Sequence, residues 1–392
     1  MYAIKLELKL NNIERSYLAG CAGYARLVYN YGLDLIKSSW SFEGIKVGDG
    51  SRLAAIKKIL TNHVMANDKY KWMKKYPSTI YQSALNNLGK AMSRYRKGLG
   101  KLPVLKAKKD GDSFTVYKSS GIYPSKGRAM LPFSNRQVIQ AGKKIIIPGL
   151  GTFRLKEELL FTCSSQTFTI SRSSHKWYVS FTIDAEKIPP IIQKNELVGI
   201  DLGVKAFATL STGKVYEMPK TLKEAKTKLS QFQWANRNKQ LGNRKKKIKA
   251  SNRAKLYYRQ LAKKHSRVSN IRKDFLHKTT TDISRENSRL RIEDLNVSGM
   301  LANCKLSEAV ANQGFYEFRR QLEYKQKFYS TQVEIVDRWY PSSKTCSSCG
   351  HQQPIKLSQR VFDCQICNSQ IDRDLNASIN LKNAPVNKVR LA

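Results

Sequence analysis

Four of the seven cysteines fall in two Cys-x2-Cys pairs, Cys346 with Cys349 and Cys364 with Cys367, and fourteen residues separate the pairs. Thiolates at that spacing close a tetrahedral zinc site, and so short a segment takes its shape from the ion rather than from an apolar core. A zinc-ribbon module over 342–370 is therefore expected, holding one Zn2+. With sulfur in all four positions, no coordination site remains for a catalytic water, so the ion is expected to be structural and the module to position the DRD segment on its C-terminal side and to contact the target nucleic acid. A redox role is disfavoured because neither pair sits in a thioredoxin-like βαβ pattern. Cys21, Cys163 and Cys304 are scattered, which is not a secreted disulfide framework and fits a reducing compartment.

The rest of the chain supplies cores of its own. At 392 residues and 41% hydrophobic content it is long enough for two or three domains. The opening YAIKLELKL alternates strictly, with Ile4, Leu6, Leu8 and Leu10 on one face, as a half-buried strand does. Tyr17, Cys21, Tyr24, Val28, Tyr31 and Leu35, and later Tyr81, Leu85, Leu88, Met92 and Tyr95, recur at helical steps and predict two packed amphipathic helices. Period-two patterns return in SFTVY, KKIIIPG, GTFRL, TFTIS and KWYVSFTID, separated by turn residues. These predict a small β-barrel over 1–11 and 106–190, with a helical bundle, 12–105, inserted after its first strand. The paired prolines of IPPIIQKN mark a boundary near 188–195.

Beyond it the patterns predict strands at 197–203, 205–210 and 214–217, a long basic helical region at 220–288 and a strand at 289–295. A helix (314–329), a strand (332–338), the cysteine module and a last helix (374–383) come after these. Three strands and then alternating helix and strand is the order of an RNase H-like α/β domain, here 195–341 and 371–384, with the zinc module inserted before its final helix and a tail at 385–392. The fold class expected is thus multi-domain α+β.

Two acids stand inside apolar strands, Asp201 in VGIDLGV and Glu293 in LRIEDLNV, where an ionised carboxylate wants a cation. Asp374 opens the last helix in DRDLNASIN, and Asp372 is placed to cap that helix. Any one such acid ordinarily caps a helix or pairs with Lys or Arg. Together they occupy the three positions that an RNase H-like sheet brings together, where they can hold two Mg2+ ions for phosphodiester hydrolysis. Asp294 should point to the opposite strand face, Asp337 lies at a strand end, and Asp372 is the rival of Asp374.

Charge names the partner. Lys and Arg number 71 against 29 Asp and Glu, a net charge of +42 that calls for a polyanion. No uninterrupted apolar run approaches 18 residues and no apolar signal segment comes after Met1, so nucleic acid is expected rather than a membrane. The cytoplasm, including the prokaryotic nucleoid, is the expected location. The stretch 237–273 carries cations at many angular positions, as a helix polar all round with ligand on several sides would. Arg244, Lys245, Lys246, Lys247, Arg253, Arg259, Arg267, Arg272 and Lys273 are candidate phosphate contacts, and Tyr257, Tyr258 and Phe275 candidate stacking groups.

GIDLGVKAFATLSTG, RKKKIKASNRAK, RVSNIRKDFLHKTTTDI, IEDLNVSGM, GFYEFRRQLEYK, VDRWYPSSKTCSSCG and DRDLNASINL together resemble TnpB, the transposon-associated relative of type V CRISPR effector nucleases. The resemblance covers about half the chain, and YPSTIYQSALNNLGKAMSRY followed by SFTVY fits the family's helical and wedge (OB-like) modules. It implies a RuvC-like domain with Asp201, Glu293 and Asp374 as Mg2+ ligands. It also implies a guide RNA from the transposon end and a double-stranded DNA target beside a short motif. Gln82, Asn86, Thr115 and Tyr117 match positions where relatives contact that motif. A catalytically minor RNA-guided DNA-binding regulator and a guide-independent transposase or resolvase are the competing readings, and the presence of all three acids argues against the first.

Overall fold

The computed structural model describes residues 2–38, 49–108, 111–118, 136–183, 195–242, 248–302, 307–356 and 359–392. Arg244, Lys245, Lys246, Lys247, Cys304 and most of the IPPIIQKN segment lie outside the described residues. The chain forms two compact units, Met1–Glu186 and Lys187–Ala392.

In the first unit, β1 (Tyr2–Lys9) leads into α1 (Asn12–Ser38). The Asn11 side chain accepts from the Glu14 N–H at 2.8 Å while Glu14 accepts from the Asn11 N–H at 2.7 Å, a reciprocal cap that starts the helix. α2 (Asp49–Ile59) and α3 (Ser78–Arg96) come next. Gly32 lets α1 and α3 approach: a Cβ there would stand 3.0 Å from both Leu85 and Leu88. Leu85, Leu88 and Met92 are buried as their spacing requires, whereas Tyr95, one turn further, is 43% exposed.

β2 (Ser113–Tyr117), β3 (Gln137–Ile139), β4 (Gly142–Ile147), β5 (Gly151–Leu159), β6 (Cys163–Ser165), β7 (Thr167–Ser173) and β8 (Lys176–Ile183) complete the unit. Six of its strands form one antiparallel sheet in the order β2-β7-β8-β1-β5-β4, and β3 pairs with β6. β1, first in sequence, is thus internal, and its buried Leu6 and Leu8 join Phe168, Val179 and Phe181 in the core. Among the described residues no ladder joins the end strands β2 and β4, so the sheet is not closed through them.

The second unit comprises β9 (Asn195–Leu202), β10 (Ala208–Leu210), β11 (Val215–Tyr216), α4 (Lys220–Ala235), α5 (Asn252–Glu286) and β12 (Asn287–Glu293). It continues with α6 (Val297–Ala302), α7 (Ser307–Gln313), α8 (Phe315–Tyr329), β13 (Gln332–Val336), β14 (Val361–Asp363), β15 (Gln370–Asp372), α9 (Arg373–Lys382) and β16 (Val389–Leu391). The sheet order is β11-β10-β9-β12-β13-β16; β9, β12 and β13 run parallel, and the others are antiparallel to their neighbours.

Residues 385–392, expected as a tail, therefore supply an edge strand: β16 pairs with β13 through Val389 and Val336. The basic helical region is two helices rather than one. α4 ends at Ala235, and α5 begins only where the Ser251 side chain accepts from the Ala254 N–H at 3.1 Å. Nor is α5 polar all round, since Ala254, Tyr257, Val268, Leu276 and Ile283 are buried along it. A long run of Lys and Arg hid those widely spaced apolar positions.

Alternation assigns the two faces of this sheet. Val198, Ile200, Leu290, Ile292, Val333 and Ile335 share a core with Leu276 of α5 and Phe318 of α8. The intervening residues, among them Gly199, Asp201, Arg291, Glu293 and Glu334, point to the other face. α9 lies on that face. A Cβ on Gly199 would stand 2.0 Å from the Ser378 carbonyl oxygen, and Arg291 donates to the carbonyls of Lys382 (2.7 Å) and Ala384 (2.8 Å).

Candidate metal centres and nucleic-acid surfaces

Strand register brings two acids side by side. Ile292 of β12 pairs with Ile200 of β9 in the parallel ladder, so the next residues, Glu293 and Asp201, are neighbours on the face that carries α9. The C-terminal half of α9 covers Gly199, which leaves the opening turn of the helix, with Asp374, toward the ends of these strands. Asp372 has a separate task. Its Oδ1 accepts from the N–H groups of Asp374 and Leu375, both at 3.0 Å, capping α9.

Asp201 feels the other two acids, although the three carboxylates do not all lie within 4.8 Å of one another. Burial first, then the negative charges of Asp374 and Glu293, push the Asp201 carboxyl up to about 7, with the Arg373 guanidinium opposing them. Burial, with Asp294 behind it, raises Glu293 as well. Asp294 points away, as expected of its strand face, and is enclosed by Arg319 (2.7 Å), Arg390 (2.9 Å) and Arg338 (3.3 Å). Although burial opposes its ionisation, those guanidinium groups hold it below the usual carboxylate range. Asp337 accepts from the Trp339 N–H at 2.8 Å, a turn contact.

The four cysteines converge. Among the described residues they are the only group of His, Cys, Asp or Glu whose ligand atoms all lie within 4.8 Å of one another. Two sulfur pairs, Cys346–Cys367 and Cys349–Cys364, are 3.7 and 3.6 Å apart. The edge of a tetrahedron with Zn–S bonds of about 2.3 Å is about 3.8 Å, so the quartet fits zinc. Each pair ends in a left-handed residue, Gly350 (φ 78°) and Asn368 (φ 55°), and the hydrogen bonds Gly350 N–H to Cys346 O (2.9 Å) and Asn368 N–H to Cys364 O (3.0 Å) repeat one knuckle twice.

Backbone N–H groups, that of Cys367 foremost, hold the Cys364 thiol down to about 6. The Ser369 N–H favours the Cys367 thiolate too, yet Cys349 and Cys364 push that thiol up to about 12. Four sulfurs so close cannot all ionise without a cation among them, which is the donor chemistry a Zn2+ satisfies.

Two residues that the sequence reading passed over join this module to α9. Asn376 donates to the Thr345 carbonyl at 2.7 Å and accepts from the Ser347 N–H at 2.9 Å, while Asn380 donates to the carbonyls of Ser342 (2.7 Å) and Thr345 (2.6 Å). Both are buried. Their signal was the i,i+4 spacing of two amides on the inner face of a helix, where apolar residues are the rule.

On α5, Lys255, Arg259, Lys263 and Arg267 are exposed and recur every four residues, forming one row opposite the buried face. Arg253 and Lys273 are exposed as well. Arg272 and Phe275, both half-buried, have partners within the fold: Arg272 donates to the Ala311 carbonyl at 3.0 Å, and Phe275 packs edge-on against the buried Phe207, with centroids 5.2 Å apart. Tyr257 likewise packs on Phe232 at 5.3 Å, and the Tyr258 hydroxyl donates to the Lys239 carbonyl at 3.0 Å.

In the first unit, Gln82 and Tyr117 meet: the Tyr117 hydroxyl donates to the Gln82 side-chain carbonyl, joining α3 to β2. Asn86 is exposed one turn beyond Gln82, and Thr115, two residues before Tyr117 on the same strand face, shares a hydrogen bond with Thr169 at 3.2 Å.

A mixed α/β chain of this basicity, with a four-cysteine module clasped to the helix beside two strand-borne acids, is of the class built to act on nucleic acid. The family model for the "Cas12f1-like, TNB domain" matches residues 315–381, and that for a "Probable transposase" matches 180–303. The chain is 32% identical over 326 residues to the putative RNA-guided DNA endonuclease InsQ of Escherichia coli (strain K12), covering 79% of this chain and 75% of that protein. A putative RNA-guided DNA endonuclease of Streptomyces pristinaespiralis is 29% identical over 381 residues, covering 97% and 88%. The solved Cas12f1–sgRNA–target DNA complex shares the fold, with a TM-score of 0.55 at 14% identity, over 96% of this chain and 83% of that one. The chain belongs to the TnpB family, among whose curated relatives are putative RNA-guided DNA endonucleases and TnpB-like proteins.

Proposed function

We propose that this protein is an RNA-guided DNA endonuclease that binds a guide RNA from the transposon end, recognises a target-adjacent motif and hydrolyses target DNA with Mg2+. The observation that carries the chemistry is the pairing of Asp201 with Glu293 on one sheet face beside the opening turn of α9, with the Asp201 carboxyl raised to about 7 by burial and by its two acidic neighbours. Acids crowded at such cost in a basic protein form a cation site. The strand order, with β9, β12 and β13 parallel and β10 antiparallel beside β9, supports reading 195–341 and 371–384 as an RNase H-like, RuvC-type domain.

In that reading Asp201, Glu293 and Asp374 would hold the catalytic Mg2+, which would supply activation of a water and stabilisation of the leaving oxygen in phosphodiester hydrolysis. This chain's own part is to fix those carboxylates. β9 and β12 hold two of them, Asp372 caps the helix that carries the third, and the zinc module clasps that helix through Asn376 and Asn380. The exposed row on α5 tracks a phosphate backbone without reading sequence. Gln82, Asn86, Thr115 and Tyr117 are assigned to the target-adjacent motif, the Gln82–Tyr117 bond holding α3 and β2 as one surface. No helix among the described residues is long and apolar enough to cross a membrane, and we place the protein in the cytoplasm with the nucleoid.

The test is cleavage by the protein purified with its co-expressed RNA. Mg2+-dependent cutting that tracks a reprogrammed guide supports the reading. Undiminished sequence-specific cutting by RNA-free protein contradicts it and favours a guide-independent transposase or resolvase.

A further inference from the structure

Trp234, near the end of α4, is 69% exposed, a large apolar group standing in solvent. A lone exposed Trp is unremarkable. This one is prepared on one side: the Arg237 guanidinium lies over its ring at 4.3 Å from the centroid, and Arg237 Nη1 also donates to the Trp234 carbonyl at 3.1 Å. The arginine is thereby held against the indole at little further entropic cost, while the ring remains largely accessible.

The base of this pair is firm. Phe232, two residues earlier, packs on Tyr257 of α5 at 5.3 Å, and Lys264 lies over the Phe232 ring at 4.9 Å. Asn236 closes the helix end by donating to the Phe232 carbonyl at 2.8 Å. Phe232 and Trp234 are separated by about 200° around α4, so one ring anchors the helix and the other stands outward. The helix carries Lys220, Lys223, Lys226 and Lys228 against a single acid of its own, Glu224, with Lys226 paired to Glu308 at 2.6 Å. An aromatic face amid cations suits a partner that offers both a flat π surface and anionic groups, and a nucleotide offers both.

We propose that Trp234, braced by Arg237, is a stacking platform for a nucleobase, either an unpaired base or the terminal pair of a bound duplex, with Arg237 also available to the adjoining phosphate. This inference rests on the nucleic-acid reading above and adds a site that the acids, the zinc module and the α5 row do not include. The base can belong to the guide RNA or to the target DNA, which share this chemistry, and the experiment separates them.

Wild type, Trp234→Phe and Trp234→Ala are titrated with guide RNA, and each RNA-loaded protein is then titrated with target DNA. Ultraviolet crosslinking and mass spectrometry identify the nucleotide joined to residue 234. The platform predicts about ten-fold weaker binding for Trp234→Ala in one titration, recovered largely by Trp234→Phe, and a crosslink to the same nucleic acid. Loss in the RNA titration assigns the base to the guide, and loss only in the DNA titration assigns it to the target. Unchanged affinity of Trp234→Ala in both titrations, with wild type binding normally, overturns the platform and leaves the endonuclease reading intact. A wild type that binds neither overturns both.

Discussion

Asn376 of α9 donates a 2.7 Å hydrogen bond to the backbone carbonyl of Thr345, the residue before Cys346, the first of the four clustered cysteines. That bond, with its partner from Asn380, makes the zinc module and the helix bearing Asp374 one mechanical piece. Asn376→Ala leaves the Thr345 carbonyl and the Ser347 N–H without that partner in a buried place and should cost on the order of 1–3 kcal/mol. Thermal unfolding measures the loss, and cleavage should fall with zinc content unchanged. Wild-type stability would show that the clasp carries no weight.

Zinc removal should act on the same path from the opposite end. Cys364→Ser takes away one of the four sulfur donors and should abolish stoichiometric zinc while destabilising the module, because ion binding and local folding are coupled. Metal analysis with limited proteolysis of 342–370 reads the outcome. A variant with no zinc and an intact, protease-resistant module would refute the structural role.

Asp201 gives a pH dependence with a definite sign. Its folded pKa, about 7, lies above the unfolded value of about 3.9, so between these values the folded protein binds more protons than the unfolded. Without divalent metal, stability from this group should fall as pH rises from about 4 to 7, by at most about 1.4 kcal/mol per pH unit. Asp201→Asn should remove that slope and be more stable than wild type at pH 8 in a chelator. Denaturant titrations at pH 5 and pH 8 decide it, and a variant less stable than wild type at pH 8 would contradict the crowding of these acids.

Lys325 works in a different window. It is buried between α5 and α8, its Nζ donating to the His277 carbonyl (2.9 Å) and to the Thr280 (2.7 Å) and Thr281 (2.6 Å) hydroxyls, and burial lowers it to about 8. Here the unfolded chain binds the extra proton between about 8 and 10.4, so stability from this group should rise with pH across that range. Lys325→Met should flatten the rise. Parallel profiles for the two proteins would mean that the ammonium is fully compensated in the fold.

The row on α5 should govern salt dependence. Lys255, Arg259, Lys263 and Arg267 repel one another at i,i+4, by about 0.2–0.5 kcal/mol per adjacent pair, and a phosphate backbone relieves this. Each replacement by Gln should lower the slope of log affinity against log salt by about 1, with little effect on which sequence is cut. An unchanged slope in the quadruple variant would remove α5 from the interface.

Much of this was legible because the signals are local. Alternation marked β1, β9 and β12, helical steps marked α1 and α3, and the cysteine spacing marked the metal module. Asp201 and Glu293 stood out as acids inside apolar strands, and Asp374 by its place in the opening turn of the last helix. What escaped depends on tertiary contact. The buried face of α5 was masked by its lysines, β16 became a strand only through pairing with β13, and Phe275 reads as a stacking group until Phe207 is seen against it. The closeness of α9 to β9 was carried by one glycine, Gly199, whose lack of a side chain has no meaning until Ser378 is known to lie above it.

If the acids on the α9 face of the second sheet hold the metal that cuts DNA at a guide-chosen site, cleavage must need both the metal and the acids. The most direct measurement is cleavage of a guide-matched duplex, with Mg2+ or chelator, by the RNA-loaded wild type, Asp201→Ala and Glu293→Ala, alongside their affinity for the same duplex. Cutting by wild type with Mg2+ alone, and near-normal binding without cutting in both variants, is the predicted result. Cutting that survives either substitution, or persists in chelator, would contradict it.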